Sequence, residues 1–407
     1  MTTVLDHARL LDRLQRLGAI GRGPSGGPTR LALTDADREG RDLLAGWMRE
    51  AGLEVRVDRI GNIFGLWPAG DADPVMIGSH IDTVIDAGIY DGCTGVLAGL
   101  AVVEALRDAG VAPARPIAVA AFTNEEGVRF QPDMMGSLVH VGGLDLGAAL
   151  ASVGTDGAVL GEELARIGYA GDLEPGSIRP ACYLELHIEQ GPLLEAEGLA
   201  IGAVDSLQGI SWQRIIITGA ANHAGTTPTA ARRDAGLAAA RVIAHLRDRV
   251  AGANAGTLAT VGSLRLEPDA INVIPSRAVF TVDLRDPDEE RLQAAEAALA
   301  GYLETLAAAE GVEVATERLA RFQPVRFDPA LVRLVAEAAE RRGHRWRHIT
   351  SGAGHDAQMI ARIAPSAMIF VPSRGGISHN PAEFTPPEQL AAGAEVLLDV
   401  VARLVGV

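Results

Sequence analysis

The chain has 407 residues, 48% hydrophobic and 22% charged, with a formal net charge of -16. That length exceeds one ordinary core and favours two domains, while the acidity excludes a nucleic-acid partner, which needs a basic surface to release counterions. No apolar run reaches the length of a membrane span, and no basic and then apolar leader opens the sequence, so a cytoplasmic protein is expected.

All 36 basic residues are arginine. Without lysine the chain has no internal Schiff base, phosphate-loop lysine or Ser-Lys dyad, and proton transfer falls to His, Asp, Glu, Cys or Tyr. Cys93 and Cys182 cannot build a disulfide framework or a four-thiolate zinc site, and both are expected to be reduced.

In chain order, "LDHARLLDRLQRLGAI" has helical spacing and "GRGPSGG" breaks it. "TDADREGRDLLAGWMREAG" then restarts a helix from Thr34, a candidate N-cap. The runs "LEVRVDRIGNIFGLWP", "PVMIGSH" and "PIAVAAFTN" read as strands, and "TGVLAGLAVVEALRDAGV" as a helix between them. Apolar runs alternating with helices predict an α/β sheet covered on both faces, which builds its sites at the C-terminal ends of its strands.

From about residue 212 the character changes. "SWQRIIITGAANHAG", "GTLATVGSLRLEP", "AVFTVDLRD" and "VEVATERLARF" read as strands, with helices over "DAGLAAARVIAHLRDRVAG" and "DEERLQAAEAALAGYLETLAAAEG". This is an α+β unit. "PALVRLVAEAAERRG", "PSAMIFVPS" and "PPEQLAAGAEVLLDVVARLV" then return to buried-strand and helix patterns. The expected arrangement is one α/β domain, residues 1–211 and 327–407, interrupted by an inserted α+β domain, residues 212–326.

Acids and imidazoles gather at the predicted strand ends: "GSHIDTV" (His80, Asp82), "YDGCTG" (Asp91), "TNEEG" (Glu125, Glu126), "LELHIEQG" (His187, Glu189) and "GGISHNPAE" (His379). Glu125 and Glu126 directly follow the uncharged "PIAVAAF"; a carboxylate placed there must be paired, protonated or metal-bound. "GEEL" at 161–164, by contrast, reads as a solvated helix face. A dinuclear hydrolytic site needs neutral imidazoles, ionised carboxylates with one able to bridge, and a further carboxylate to take a proton from water. The inventory contains each part, and Asp82, two residues beyond His80, is placed to orient that imidazole.

Together "GSHIDTV", "YDG", "FTNEEGVRF", "ELHIEQGP", "NHAGTTP", "NVIP", "DLRD", "SGAGHDAQ" and "GISHNPAEF" resemble the dinuclear zinc amidohydrolases of the aminoacylase and carboxypeptidase superfamily. The nearest likeness is to its N-carbamoyl-L-amino acid hydrolase, β-ureidopropionase and allantoate amidohydrolase branch. Having His187 where aminopeptidase and deacylase relatives carry an acid favours that branch.

The resemblance implies a mixed-sheet zinc-hydrolase catalytic domain with an inserted lid and dimerisation domain. It implies two divalent ions per subunit (zinc, or manganese, cobalt or nickel), one held by His80, Asp91 and His187 and the other by Asp91, Glu126 and His379. Glu125 becomes the general base and acid. Asn272 and Arg285 hold the substrate carboxylate, Gln190 contacts the carbamoyl or carboxylate end, and His223 stabilises the oxyanion in the neighbouring subunit of a homodimer. His355 and Asp356 take an orienting role.

Cys93 is read as packing, and Arg374 as either a second anion site or a solvated arginine. The expected reaction is hydrolysis of the ureido C–N bond of an N-carbamoyl-L-amino acid. The alternatives are allantoate hydrolysis, an aminoacylase or dipeptidase activity, and a non-catalytic binder of a ureido ligand.

Overall fold

The computed structural model describes residues 3–251 and 256–407. The chain divides into two compact units, Met1–Asp205 with Phe327–Val407, and Ser206–Arg326.

The first unit opens with α1 (His7–Gly18) and α2 (Asp35–Glu50). Thr34 caps α2 by accepting the Asp37 N–H, and Leu10, Leu14 and Leu17 form the buried stripe of α1. Its strands are β1 (Glu54–Val57), β2 (Ile63–Trp67), β3 (Val75–His80), β4 (Ile117–Phe122), β5 (Cys182–Ile188) and β6 (Ile201–Leu207). The second unit holds β7 (Gly209–Thr218), β8 (Leu258–Thr260), β9 (Leu264–Glu267), β10 (Arg277–Asp286), β11 (Glu313–Phe322) and β12 (Val325–Arg326); β13 (Trp346–Ser351) and β14 (Ser366–Val371) follow.

The larger sheet runs β1-β2-β4-β3-β5-β14-β6-β12, with β13 also on β6. Its centre, β4-β3-β5-β14, is parallel, and β2, β1 and β6 add antiparallel flanks. All residues of β3, β4, β5 and β14 are buried, which is why β4 and β14 read as apolar runs and β3 as one up to its polar end, while β5 carries Glu185 and His187 into the interior. Helix α3 (Cys93–Asp108) lies on this centre, buried along almost its whole length. Gly95 lets it approach closely, since a Cβ there would stand 2.6 Å from the Leu186 carbonyl oxygen.

In the second unit, helices Ala235–His245 and Glu289–Glu310 cover one face of the antiparallel sheet β11-β7-β10-β8, with β9 also on β10. Ala278, Phe280, Val282 and Leu284 alternate inward from β10 into that core, leaving Asp283 and Arg285 on the other face.

Three local expectations need correction. "LEVRVDRIGNIFGLWP" is a hairpin rather than one strand: Asp58 Oδ1 accepts the N–H of Ile60 and Asn62, and Gly61 sits at φ +87°. The boundary placed after residue 211 would cut β7. The chain changes unit within β6, whose first part pairs with β14 while Ser206 and Leu207 pair with β12. Helix "DAGLAAARVIAHLRDRVAG" is α-helical only to His245 and continues as a π-turn, Leu246–Ala251; its last residue lies outside the described residues. The short helices Met135–His140 and Leu146–Leu150 have no clear sequence signal. Among the described residues no helix is long and apolar enough to cross a membrane.

Candidate metal centre

The C-terminal ends of the four central parallel strands and the turn before α3 supply the site. His80 closes β3 and His187 lies near the end of β5. The His80 Nδ1–H donates to the Asp82 carbonyl oxygen at 3.0 Å, and the His187 Nδ1–H to the Ile188 carbonyl oxygen at 2.9 Å. A carbonyl only accepts, so both rings carry their proton at Nδ1 and offer Nε2 as a lone pair. The Gly92 N–H donates to His187 Nε2 at 3.1 Å, consistent with that tautomer.

Both Nε2 atoms face one carboxylate. Asp91 Oδ1 is 3.1 Å from His187 Nε2 and 3.6 Å from His80 Nε2, and Asp91 Oδ2 is 3.2 Å from His379 Nε2. Asp91 sits in the turn that opens α3, where Gly92 takes φ +62°. A Cβ on Gly92 would fall 2.4 Å from the His80 ring, so only glycine lets Asp91 sit this close.

Glu125 and Glu126 follow β4. Asn124, at φ +57°, turns the chain there, so that two neighbouring carboxylates reach the same centre. Glu125 Oε2 lies 3.4 Å from His80 Nε2, and Glu126 Oε2 lies 3.4 Å from His379 Nε2. The carboxylate of Asp82 holds this turn by accepting the N–H of Glu125 and of Glu126, each at 3.2 Å. The expectation that this carboxylate orients His80 is therefore corrected: Asp82 Oδ1 stands 3.8 Å from His80 Nδ1, and the backbone carbonyl has taken that role.

These side chains form two ligand triads that share Asp91: His80, Asp91 and His187, and Asp91, Glu126 and His379. The fit to cations is tested by the electrostatics. Burial pulls His80 down, yet Glu125, Asp91, Asp82 and Glu126 outweigh it and hold the imidazole well above its ordinary range. Burial, with the Asp91 charge, pushes Glu126 up to about 8. Hydrogen bonding to Asp91 raises His379 to about 9. Protons here do the work of missing positive charge, and Glu126 Oε1 is buried without a partner. Imidazole lone pairs and carboxylates at this spacing fit two divalent cations.

Glu125 belongs to neither triad. Burial pushes its carboxyl well above the ordinary range. Gln190, at φ +57°, donates from Nε2 to Asp91 Oδ2 at 2.8 Å, and its buried Oε1 has no partner. Glu189 is structural: it accepts the N–H of Leu193 and Leu194, each at 2.8 Å, at the start of helix Leu193–Glu197.

His355 packs edge-on against His187, ring centroids 4.4 Å apart, and its Nε2 contacts the Ser351 hydroxyl at 3.0 Å. Asp356, raised to about 8 chiefly by burial, accepts from Ser137 Oγ at 2.6 Å. Cys93 is buried against Arg30 Nη2 at 3.2 Å, and burial pushes its thiol up, away from nucleophilic character. The Arg374 guanidinium stacks 3.9 Å from the Phe384 ring centroid. In "GEEL" only Glu162 is solvated; Glu163 pairs with Arg129 and Arg166, each at 2.8 Å.

In the second unit His223 is exposed on a turn held by its own neighbours: Gly225 N–H donates to its Nδ1 at 3.0 Å, and Thr227 Oγ1 to its carbonyl at 2.8 Å. Asn272 is exposed beside it, its carbonyl accepting the Ala224 N–H at 2.9 Å. Arg285 donates from Nη2 to Asp283 at 2.9 Å.

Sequence reasoning missed two buried acids. Glu185 accepts from Ser79 Oγ (2.7 Å), Tyr183 Oη (3.1 Å) and the Ala357 N–H (2.9 Å). Its place two residues before His187, on the same side of β5, was the available signal. Glu383 binds the turn beneath Asp91 and lies four residues past His379 in "SHNPAE".

A mixed α/β unit with two triads sharing one carboxylate at its parallel strand ends defines a dinuclear metal-dependent hydrolase. The chain matches peptidase family M20/M25/M40 over residues 76–403 and belongs to it. It is 43% identical to an N-carbamoyl-L-amino-acid amidohydrolase of Rhizobium meliloti, over 97% of this chain and 95% of the relative. It is 41% identical to one from Geobacillus stearothermophilus, over 98% and 99%. A solved hydantoinase/carbamoylase-family amidase of Burkholderia multivorans superposes with a TM-score of 0.93 at 47% identity, over 98% of each chain.

Proposed function

We propose that this chain hydrolyses the ureido C–N bond of N-carbamoyl-L-amino acids, releasing the L-amino acid, ammonia and carbon dioxide. The observation that carries this reading is the buried Glu125 carboxylate, outside both triads but 3.4 Å from a ligand nitrogen of the first. A pure binder has no use for it. The choice of the carbamoyl bond rests on the likeness to the carbamoyl-amino-acid amidohydrolases.

The ligand assignment is the two triads, with Asp91 bridging. Ions held there supply electrophilic polarisation and make water acidic near neutral pH. Glu125 takes a proton from the attacking water and returns it to the departing nitrogen, so that the C–N bond breaks as the amine is neutralised. Its elevated pKa suits a group that must hold that proton between the two steps. Asp82 keeps Glu125 in place through the backbone.

Arg285 and Asn272 hold the substrate carboxylate, and Gln190 contacts the carbamoyl end through its unpaired Oε1. His223 donates to the oxyanion. We assign this histidine to the neighbouring subunit of a homodimer: it is exposed, and its bonds are all to its own turn. A cytoplasmic location suits the two free buried thiols.

The test is ammonia release by manganese- or cobalt-loaded protein, with N-carbamoyl-L-amino acids and allantoate in parallel. Release from the carbamoyl amino acids alone supports the proposal. Release from allantoate alone moves the substrate to that diureide, and silence with both removes ureido hydrolysis.

A further inference from the structure

Glu383 lies outside both triads, yet it is the residue to which both loops of the shared ligand are tied. Its Oε1 accepts the N–H of Tyr90 at 3.0 Å and of Asp91 at 3.3 Å. Its Oε2 accepts from Ser378 Oγ at 2.9 Å, and that Oγ is 3.2 Å from Asp91 Oδ2. Asp91 is therefore restrained through its backbone by one oxygen of Glu383, while its carboxylate faces the Ser378 hydroxyl, whose single proton lies between Glu383 Oε2 and Asp91 Oδ2.

The same residue fixes the loop of the exposed ligand. The Glu383 N–H donates to the Asn380 carbonyl at 2.9 Å, closing the turn that follows His379, and His379 itself is held at φ +53°. A non-glycine residue in that region stays there only when its surroundings over-determine it. The opposing segment is shaped around the carboxylate as well, because a Cβ on Gly88 would lie 2.0 Å from Glu383 Oε1.

We propose that Glu383 is a positioning residue for the dinuclear centre: it sets the orientation of the bridging Asp91 and couples it to the His379 loop, and so governs retention of the second ion. This rests on the reading of the two triads as metal ligands. Buried backbone N–H groups need an acceptor wherever they occur. A merely structural Glu383 would therefore affect folding stability and leave ion affinity alone, whereas a positioning Glu383 separates the two ions. Removing the hydrogen-bond partner of a ligand typically weakens metal binding about 10- to 100-fold.

The experiment titrates Mn²⁺ into the metal-free full-length protein by calorimetry and by electron paramagnetic resonance, for wild type, Glu383→Ala, Glu383→Gln and Ser378→Ala. In Glu383→Ala the weaker-bound ion should lose about 10- to 100-fold in affinity, the tighter ion much less, and the spin coupling between the ions should diminish. Glu383→Gln should stay within about three-fold of wild type, because its carbonyl accepts the same two N–H groups and its amide donates to Ser378 Oγ. Ser378→Ala removes the hydroxyl link, together with the bond that Gln190 Nε2 gives that hydroxyl at 3.2 Å, leaves the Glu383 bonds to the Tyr90 and Asp91 N–H groups in place, and should weaken the second ion about three- to ten-fold, which keeps the test open if Glu383→Ala does not fold. Wild-type affinity for both ions in Glu383→Ala, or in Ser378→Ala, would overturn the proposal. A wild-type protein that takes up a single ion would overturn the dinuclear reading, and this inference with it.

Discussion

The two units place their candidate site residues in opposite environments. In the first, Asp91, His80, His187 and Glu125 are buried, already contact one another, and are held by backbone carbonyls and amides from separate strand ends. In the second, His223 and Asn272 are exposed; His223 bonds within its own turn, and the Asn272 carbonyl accepts the Ala224 N–H from that turn. Electrostatics follow the same division: Glu126, Asp356, His379 and Glu383, all displaced to between about 7 and 9, lie in the first unit. A preorganised charge centre must be buried to be strong, whereas groups that meet a substrate must stay accessible. Metal retention should accordingly depend on the first unit alone, and recognition of the substrate carboxylate on the second.

The most severe break in that comparison is Glu125→Gln. It sits among the ligands but is assigned no ion, so turnover should fall on the order of 10³-fold or more while metal content stays at two ions per chain. Metal analysis beside steady-state rates decides the point. Loss of metal in step with activity would mean that Glu125 and Glu126 have exchanged roles.

His223→Ala should cost on the order of 10² to 10³ in kcat, again with metal intact. The assignment to a neighbouring subunit makes a sharper statement. Glu125→Gln and His223→Ala are each nearly inactive alone. Unfolded together and refolded, they should recover about a quarter of wild-type activity, because half the dimers are mixed and each mixed dimer has one complete site. No recovery would confine His223 to its own chain.

The pH response should also belong to the first unit. His140 is buried against Phe64 and Phe122, ring centroids 5.6 and 5.8 Å away, and burial lowers it to about 4. Its Nδ1 accepts the Gly176 N–H at 3.3 Å. A folded pKa below the unfolded value of about 6.5 means that the unfolded chain binds the proton more tightly. The contribution is fully present above about pH 6.5 and is lost as pH falls towards 4, amounting to at most about 3 kcal/mol. Urea unfolding from pH 7 to pH 4 should show this loss, and His140→Phe should flatten it at a cost of about 1 kcal/mol for the orphaned Gly176 N–H.

What the sequence made legible follows the same contrast. The strands β3, β4 and β14 are buried on both faces, so their apolar runs stand out, and the acids and imidazoles that follow or end them stand out against those runs. His80, Asp91, Glu126, His187 and His379 do converge. Less legible was anything that depends on a backbone atom. Nothing in "SHID" says that the Asp82 carbonyl, and not its carboxylate, meets His80, because a carbonyl carries no residue-type signal. The turn at Asn124 is similarly decided by packing around the Phe130 and Pro132 carbonyls, which accept its Nδ2 at 2.9 and 3.2 Å. Glu383 escaped notice because what it holds is the peptide of Asp91 and the hydroxyl of Ser378.

The mildest test separates charge from geometry in the second unit. Arg285 lies on the helix-free face of β10, its Nε and Nη2 directed to Asp283 at 2.9 to 3.1 Å. A planar guanidinium fork matches the geometry of a substrate carboxylate. Arg285→Lys preserves the charge and removes the fork, so attraction persists while bidentate alignment is lost. The expected result is KM raised about ten-fold, kcat within about two-fold of wild type, and metal content unchanged. A matching fall in kcat would place Arg285 in transition-state stabilisation, which the comparison reserves for His223 and the buried centre. An unchanged KM would remove Arg285 from recognition and leave Asn272 to carry the carboxylate.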